Sequence, residues 1–360
     1  MLILSNDDVE SLLTMADCLQ ALEEAYTELA AGRAQNRPRT DLYAPTARRD
    51  AYYVFKSMEG VIPSMGIAAL RINSDHITWK PGPRGTRKEK VPAARGRYAG
   101  HVELYSIETG ELLAIMPDGY LQKMRVGGTS GVAARRLARS DAAVLGLLGS
   151  GWQAGAQVEA MAAVWKLRVV RVHSPTPEHR ESFAKTMSDK LGLQVEAVET
   201  PEAAVRDADI LVAATNAIAP VIHAEWLRPG MHVTCVKEAE LGSPVIQKSD
   251  VVIVHQRMGA PRNYLMGRAE PVTAHDPLDL LGLGPPPKSE GILDGLPALP
   301  ELVGGAVPGR TRADQITCFV NNMGAGIQFA AVGARVYHLA RARGIGREIP
   351  TDWFLQDVHP

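Results

Sequence analysis

Cysteine is scarce: Cys18, Cys235 and Cys318 are the whole complement of a 360-residue chain. They lie far apart, with no CxxC or CxxH spacing, which argues against a disulfide framework or a zinc site and fits a reducing compartment. No metal is expected. No apolar run approaches the roughly 18 residues that a membrane span needs. Neither sign of charge dominates: 39 Lys and Arg against 40 Asp and Glu leave a formal net charge of -1, so nothing global points to nucleic acid or to an anionic membrane. Internal repeats are absent. The start, Met1-Leu2-Ile3-Leu4-Ser5-Asn6-Asp7-Asp8, lacks a basic segment and turns acidic at once, unlike a signal peptide. The expectation is a cytoplasmic globular protein, with material for two domains.

What is present falls into two grammars. Residues 2–4 read as a short strand. Residues 16–31 carry apolar side chains at helical spacing (Leu19, Leu22, Tyr26, Leu29) up to a stop at Gly32. Residues 51–57, 67–73 and 101–106 then look like strands of an antiparallel sheet, and 111–116 returns after the turn Ile107-Glu108-Thr109-Gly110. An Ala-, Gly- and Arg-rich helix is expected over 126–138. From Ala142 onward, strands expected at 143–148, 169–173, 194–198, 210–214, 232–236 and 251–255 argue for a parallel sheet, and helical stretches between the first four would cover both its faces. A Pro- and Gly-rich stretch around Pro285-Pro286-Pro287 reads as a surface excursion. Residues 319–343 read as a long apolar helix that returns to the N-terminal part. The expected fold is α/β: a Rossmann-type doubly wound parallel sheet (126–321) inserted in a smaller α+β substrate and dimerisation domain (1–125 plus 322–360).

The most informative motif is Gly149-Ser150-Gly151-Trp152-Gln153-Ala154, between an apolar strand and a helix. In that context the first glycine permits a tight turn, the second lets backbone approach a pyrophosphate, and the small third residue lets helix and strand pack closely. The phosphates would sit at the helix N-terminus. The next strand ends Val172-His173-Ser174-Pro175-Thr176, without the acid that usually holds the ribose 2′-hydroxyl of NAD. Ser174, Thr176 and Arg180 are positioned to meet a 2′-phosphate instead, or to begin the next helix. The cofactor is NADP or NAD, with NADP preferred.

Several segments together resemble the ornithine cyclodeaminase / mu-crystallin family. They are Gly149-Ser150-Gly151-Trp152-Gln153-Ala154-Gly155-Ala156-Gln157, then Glu108-Thr109-Gly110-Glu111-Leu112-Leu113-Ala114 followed by Met116, Asp118 and Arg125, then Ala214-Thr215-Asn216 through Pro220-Val221-Ile222, and the helix at 326–335. The resemblance implies a Rossmann domain inserted in a substrate domain, a homodimer through the N-terminal sheet, and hydride exchange at the α-carbon of an amino or imino acid. It places Thr215 and Asn216 beside the dinucleotide. It also implies that cations hold the α-carboxylate: Arg39 in Arg37-Pro38-Arg39-Thr40, Arg125 opening the helix before the Rossmann unit, and Arg71 near the family's strand lysine. Lys56 is a candidate fourth cation, and arginine suits bidentate carboxylate binding.

The chain departs from the family in three places. Cyclodeaminases carry an aspartate after the fifth Rossmann strand; here the stretch is Val233-Thr234-Cys235-Val236-Lys237-Glu238-Ala239-Glu240-Leu241. Lys237 and Glu238 or Glu240 are candidate proton donors, with a solvated charged strand end as the alternative. Residues 73–100 look longer than the usual connection, and from Lys80 to Arg97 they hold Lys80, Arg84, Arg87, Lys88, Lys90, Arg95 and Arg97 against Glu89 alone. This is either a solvated loop or a lid that attracts an anionic substrate such as a dicarboxylate. Asn321 and Asn322 either bind a polar substrate side chain or cap the last helix. The leading function is an NAD(P)-dependent oxidoreductase acting on the C–N bond of an amino or imino acid, with Lys237, Glu238 and Arg71 as catalytic candidates. The alternatives are ornithine cyclodeaminase and a non-catalytic NADP-binding protein of the mu-crystallin kind.

Overall fold

The computed structural model describes residues 1–82, 85–217, 219–257, 261–273 and 291–358. The proline run at 285–287 and Arg84 lie outside them. None of the described helices is long and apolar enough to cross a membrane.

One sheet has seven strands, all parallel, in the spatial order Val195–Ala197, Val169–His173, Val144–Leu148, Ile210–Ala213, His232–Cys235, Thr317–Val320, Val251–Val254. The six expected strands form within a residue or so of their expected bounds. The seventh, Thr317–Val320, corrects the expectation that Phe319 begins a helix. Its four residues are wholly buried, and a short apolar run bounded by polar residues has no periodicity that separates strand from buried helix. The helix itself begins at Gly326 and ends at Arg343. The chain leaves Val144–Leu148 towards one side of the sheet and returns to Ile210–Ala213 on the other. The crevice outside the carboxyl ends of these two strands is therefore the topological switch point, where open α/β sheets take ligands.

Among the described residues the second sheet has eleven strands and is mostly antiparallel. Its main path runs Val272–Thr273, Arg262–Leu265, Thr40–Pro45, Ala51–Ile62, Ile67–Gly82, Ala99–Ser106, Leu112–Pro117, Leu2–Ile3, Arg347–Glu348. Arg262–Leu265 joins it from within the stretch expected to be purely Rossmann, pairing parallel to Thr40–Pro45. Alternation along these strands separates two faces. Met58, Ile62, Ile67, Ala69, Val102 and Leu104 point inward to a core shared with Leu19, Leu22, Phe329 and Val332 from the helices Met15–Ala30 and Gly326–Arg343. The last helix does return to this sheet, and it comes very close: a Cβ on Gly60 would collide with the backbone of Ile327, and one on Gly326 with that of Glu59.

Among the described residues, the basic segment after Asn73 is strand as far as Val91 rather than loop. Gly85–Val91 folds back on Ile67–Gly82 in a hairpin registered from His76 against Val91 to Gly82 against Gly85. Lys88 Nζ lies 5.5 Å from the Trp79 ring centroid and 6.0 Å from that of Tyr43, so the long strand is pinned by cation–π contact.

The two sheets meet through a buried polar network. His255 Nδ1 donates to the Met323 carbonyl, which leaves Nε2 to accept from the Tyr26 hydroxyl at 2.7 Å. Gln328 Nε2 donates to Tyr26 at 3.1 Å and to Thr129 Oγ1 at 2.6 Å. Burial pushes the pKa of both His255 and His232 down to about 3. Both stay neutral in the folded protein while the unfolded chain protonates them below about 6.5. The unfolded state then binds more protons, so stability falls as pH drops from about 6.5 towards 4, before carboxylates titrate. We expect urea midpoints to fall between pH 7 and pH 5, with a slope reporting about two protons; a midpoint that does not change over that interval would refute this.

Candidate functional site

The glycine turn stands at the switch point. Gly149 has φ +111°, a conformation that L side chains rarely adopt, and a Cβ there would strike the Ala214 carbonyl oxygen at the end of the neighbouring strand. Gly151 is the N-cap of the helix Trp152–Val164, and a Cβ there would meet nothing within 4 Å. The turn is therefore closed against protein on one side and open on the other, above free helix N–H groups. Ser150 Oγ donates to Ser174 Oγ at 2.9 Å, tying the turn to the end of the second strand. Gln153 Oε1 and both amide atoms of Gln157 are buried without a partner among the described residues. An open helix N-terminus with orphaned amides beside it fits a dinucleotide. Trp152 is exposed, with Lys123 Nζ 4.7 Å from its ring centroid.

No acid stands at the ribose end. Arg180 Nη1 donates to the Ser174 carbonyl at 3.1 Å, while Thr176 is exposed at the start of the helix Pro177–Leu191 and its side chain does not cap it. Across the crevice, Thr215 donates to Glu240 Oε1 through both its backbone N–H and its hydroxyl, and Asn216 is exposed. Glu240 Oε2 accepts from Val236 N–H and Lys237 N–H, each at 3.0 Å. The buried carboxylate of this stretch is thus Glu240, which clamps two strand ends. Lys237 is exposed and Glu238 half-buried. The fold places both at the carboxyl edge of His232–Cys235, not among the arginines.

Arg39, Arg71 and Lys56 belong to a polar band on the inward face of the large sheet. Arg71, Asn73 and Asp75 alternate along one strand, all buried, between apolar Ala69 and Ile77. Lys56 is opposite Asn73 on one side and Asp41 on the other. Three of the cations expected to be open are closed on aspartates. Arg39 makes a two-pronged pair with Asp41, both bonds 2.8 Å. Lys56 Nζ meets Asp75 Oδ2 at 2.7 Å. Arg71 Nη2 meets Asp118 Oδ2 at 2.7 Å, and Asn73 donates to the same oxygen at 2.9 Å. Each pairing follows from burial, of the cation at Lys56 and Arg71 and of the carboxylate at Asp41: a buried charge without a counter-charge is costly.

Arg125 differs. It sits about two turns inside the helix Asp118–Leu137, not at its opening. Its guanidinium is buried and held only by neutral groups: Nη1 donates to Gln328 Oε1 and Nη2 to Gln122 Oε1, both at 2.7 Å. It has no ion pair among the described residues. Burial first, then the nearby Arg71, pushes its pKa down to about 9. The two arginines stand over one ring, 5.2 Å and 5.1 Å from the Phe329 centroid. Asn321 does not join them: its Nδ2 donates to the Val126 carbonyl and to Ser130 Oγ, strapping the seventh strand to the helix. Asn322 bonds to the backbone of Gln256.

Sequence reasoning missed the counter-ions Asp41, Asp75 and Asp118, and the glutamines that hold Arg125. A signal was present: charged residues occupy strand positions whose parity requires apolar side chains.

A doubly wound parallel sheet with a glycine turn at its switch point, joined to a sheet whose buried face carries cations, defines a Rossmann-type α/β protein. The chain belongs to the ornithine cyclodeaminase/mu-crystallin family, whose model matches residues 1–344. It is 29% identical to a Delta(1)-pyrroline-2-carboxylate reductase of Bacillus cereus, over 97% of this chain and 99% of that protein. It is 28% identical to an alanine dehydrogenase of Archaeoglobus fulgidus, over 97% and 98%. Among solved structures it is similar to the Delta(1)-pyrroline-2-carboxylate reductase of Thermococcus litoralis in complex with NADH and L-proline, with TM-score 0.74, 27% identity, and 97% and 100% of the two chains covered.

Proposed function

We propose that this protein is an NAD(P)H-dependent reductase of the C=N bond of an α-imino acid, working in reverse as an amino-acid dehydrogenase. The observation that carries the reading is Arg125, a buried guanidinium with no ion pair among the described residues, beside Arg71 over the ring of Phe329. Such a charge is stabilised when a carboxylate arrives, and a planar guanidinium grips a carboxylate through two parallel bonds. The nicotinamide supplies or accepts a hydride when bound. The chain's own residues do the rest. Arg125 and Arg71 fix the α-carboxylate and so orient the α-carbon, Phe329 walls the pocket beneath them, and Gly149 to Gln153 hold the dinucleotide. Lys237 and Glu238, at the carboxyl edge of the same parallel sheet, exchange the substrate's proton with solvent. Thr215 and Asn216 line the crevice opposite the glycine turn.

The absence of an acid after Val172, with Ser174, Thr176 and Arg180 in its place, supports NADP over NAD. Residues 1–125 with 322–360 form the substrate half and 126–321 the dinucleotide half, apart from the Arg262–Leu265 strand that crosses over. The outward sheet face supports a homodimer: Tyr264, Leu42 and Phe55 are cross-strand neighbours in a row and all exposed. Three buried free cysteines accord with the cytoplasm.

The test is a panel of cyclic imino acids, 2-oxo acids with ammonia, and ornithine, each with NADH and NADPH. We expect reduced cofactor to be consumed in step with substrate, and a lower Kd for NADPH than for NADH. Ammonia release from ornithine without net cofactor change would identify a cyclodeaminase, and cofactor binding without turnover a binding protein.

A further inference from the structure

The charges of the polar band do not balance at one place. Arg39 with Asp41 and Arg71 with Asp118 are one-to-one pairs. Asp75 is shared: Lys56 Nζ holds Oδ2 at 2.7 Å and Lys90 Nζ holds Oδ1 at 2.9 Å. One carboxylate thus faces two ammonium groups. Lys90 comes from the basic hairpin strand, which is fixed in place by its ladder to Ile67–Gly82. Among the described residues the site therefore holds two positive centres in excess, Arg125 at one end and the Lys56–Asp75–Lys90 cluster at the other. The second centre is continuous with the first. Lys56 lies directly across from Asn73, whose amide bonds Asp118, the partner of Arg71.

We propose that Lys56 and Lys90 form a second anion subsite, and that the substrate is an imino acid with an acidic side chain, a short-chain dicarboxylate. The α-carboxylate goes to Arg125 and Arg71, and the side-chain carboxylate to the lysines. This rests on the reductase reading above and narrows its substrate class. The energetics agree. Lys56 is buried, and burial pushes its pKa down to about 8 against the opposing pull of Asp75, with Lys88 and Lys90 adding smaller like-charge repulsion. An arriving carboxylate removes that repulsion, whereas a neutral side chain leaves it in place. A half-exposed ammonium such as Lys90 contributes modestly, and a buried one such as Lys56 contributes more.

The experiment uses the purified full-length protein with the preferred reduced cofactor. It compares oxaloacetate plus ammonia, which gives a dicarboxylic imine, with pyruvate plus ammonia and with a cyclic imino acid. We expect kcat/KM to favour the dicarboxylic imine by about tenfold or more, the effect of one well-placed charge pair. K90Q should reduce that preference by about fivefold, mainly through KM, and K90R should restore it. K56M should reduce it further, with Tm and cofactor Kd confirming that the variant is folded. Equal or better turnover of the monocarboxylic or cyclic imine overturns the subsite and leaves the reductase reading intact. A dicarboxylate preference that survives both K90Q and K56M also overturns it. If no imine consumes cofactor, the reductase reading fails, and the subsite with it.

Discussion

Arg125→Ala should lower kcat/KM for the imine by about a thousandfold, in the range found when one partner of a buried, hydrogen-bonded charge pair is removed. Both KM and kcat should suffer. The guanidinium binds the carboxylate in the ground state, and it also fixes the angle at which the α-carbon faces the hydride. The effect on stability should be small by comparison, because two contributions oppose each other. Removing Arg125 leaves Gln122 Oε1 and one bond of Gln328 Oε1 without a donor, which destabilises. It also removes a buried charge that has no ion pair, which stabilises. Gln328 keeps its other partners, Ala325 N–H, Tyr26 and Thr129, so the network between the sheets survives. Steady-state kinetics and a thermal melt on the same preparation separate the two effects. Arg125→Lys keeps the charge but cannot reach both glutamines and a carboxylate together, so it should fall between wild type and Ala. A kcat/KM for Arg125→Ala within threefold of wild type would remove this residue from the site.

The outline of the fold was legible because its signals are local. The glycine turn, the apolar strands of the parallel sheet and the period of residues 16–31 each declare themselves within a dozen residues. Thr317–Val320 escaped because four buried residues have no period. The hairpin at Gly85–Val91 escaped because its basic residues look like solvated loop; what makes it a strand is the register with Ile67–Gly82, which is not visible in either segment alone. The candidate site was legible as a set of cations and illegible as a set of pairs. Arg39, Lys56 and Arg71 were all found, but their aspartates are 2, 19 and 47 positions away in the chain, and only the sheet brings the last two together. Arg125 stands out only after the others are seen to be paired. Lys237, Glu238 and Glu240 drew attention by position in a motif as proton donors, and only the four hydrogen bonds of Glu240 identify it as a structural carboxylate instead.

Gly151→Asp and Gly149→Ala should act in opposite ways, although both alter the same turn. At Gly151 the backbone has φ -92°, which any residue adopts, and the added side chain enters open space. Aspartate is moreover a favoured N-cap, worth roughly a few tenths of a kcal/mol more than glycine to the helix that follows. Tm should therefore hold or rise. The carboxylate, however, would occupy the place above the helix N–H groups and repel the pyrophosphate, so the Kd for NAD(P)H should rise by roughly a hundredfold or more. At Gly149 the order is reversed. Alanine must adopt φ +111° and drive its methyl group into the Ala214 carbonyl, which together cost on the order of 1–3 kcal/mol or more. Tm should drop, and cofactor binding should weaken as a consequence of the displaced strand end. Isothermal titration with the reduced dinucleotide, set beside thermal melts of both variants, gives the comparison. Full cofactor affinity in Gly151→Asp would show that the pyrophosphate does not lie over this helix, and the reading of the turn would have to be abandoned.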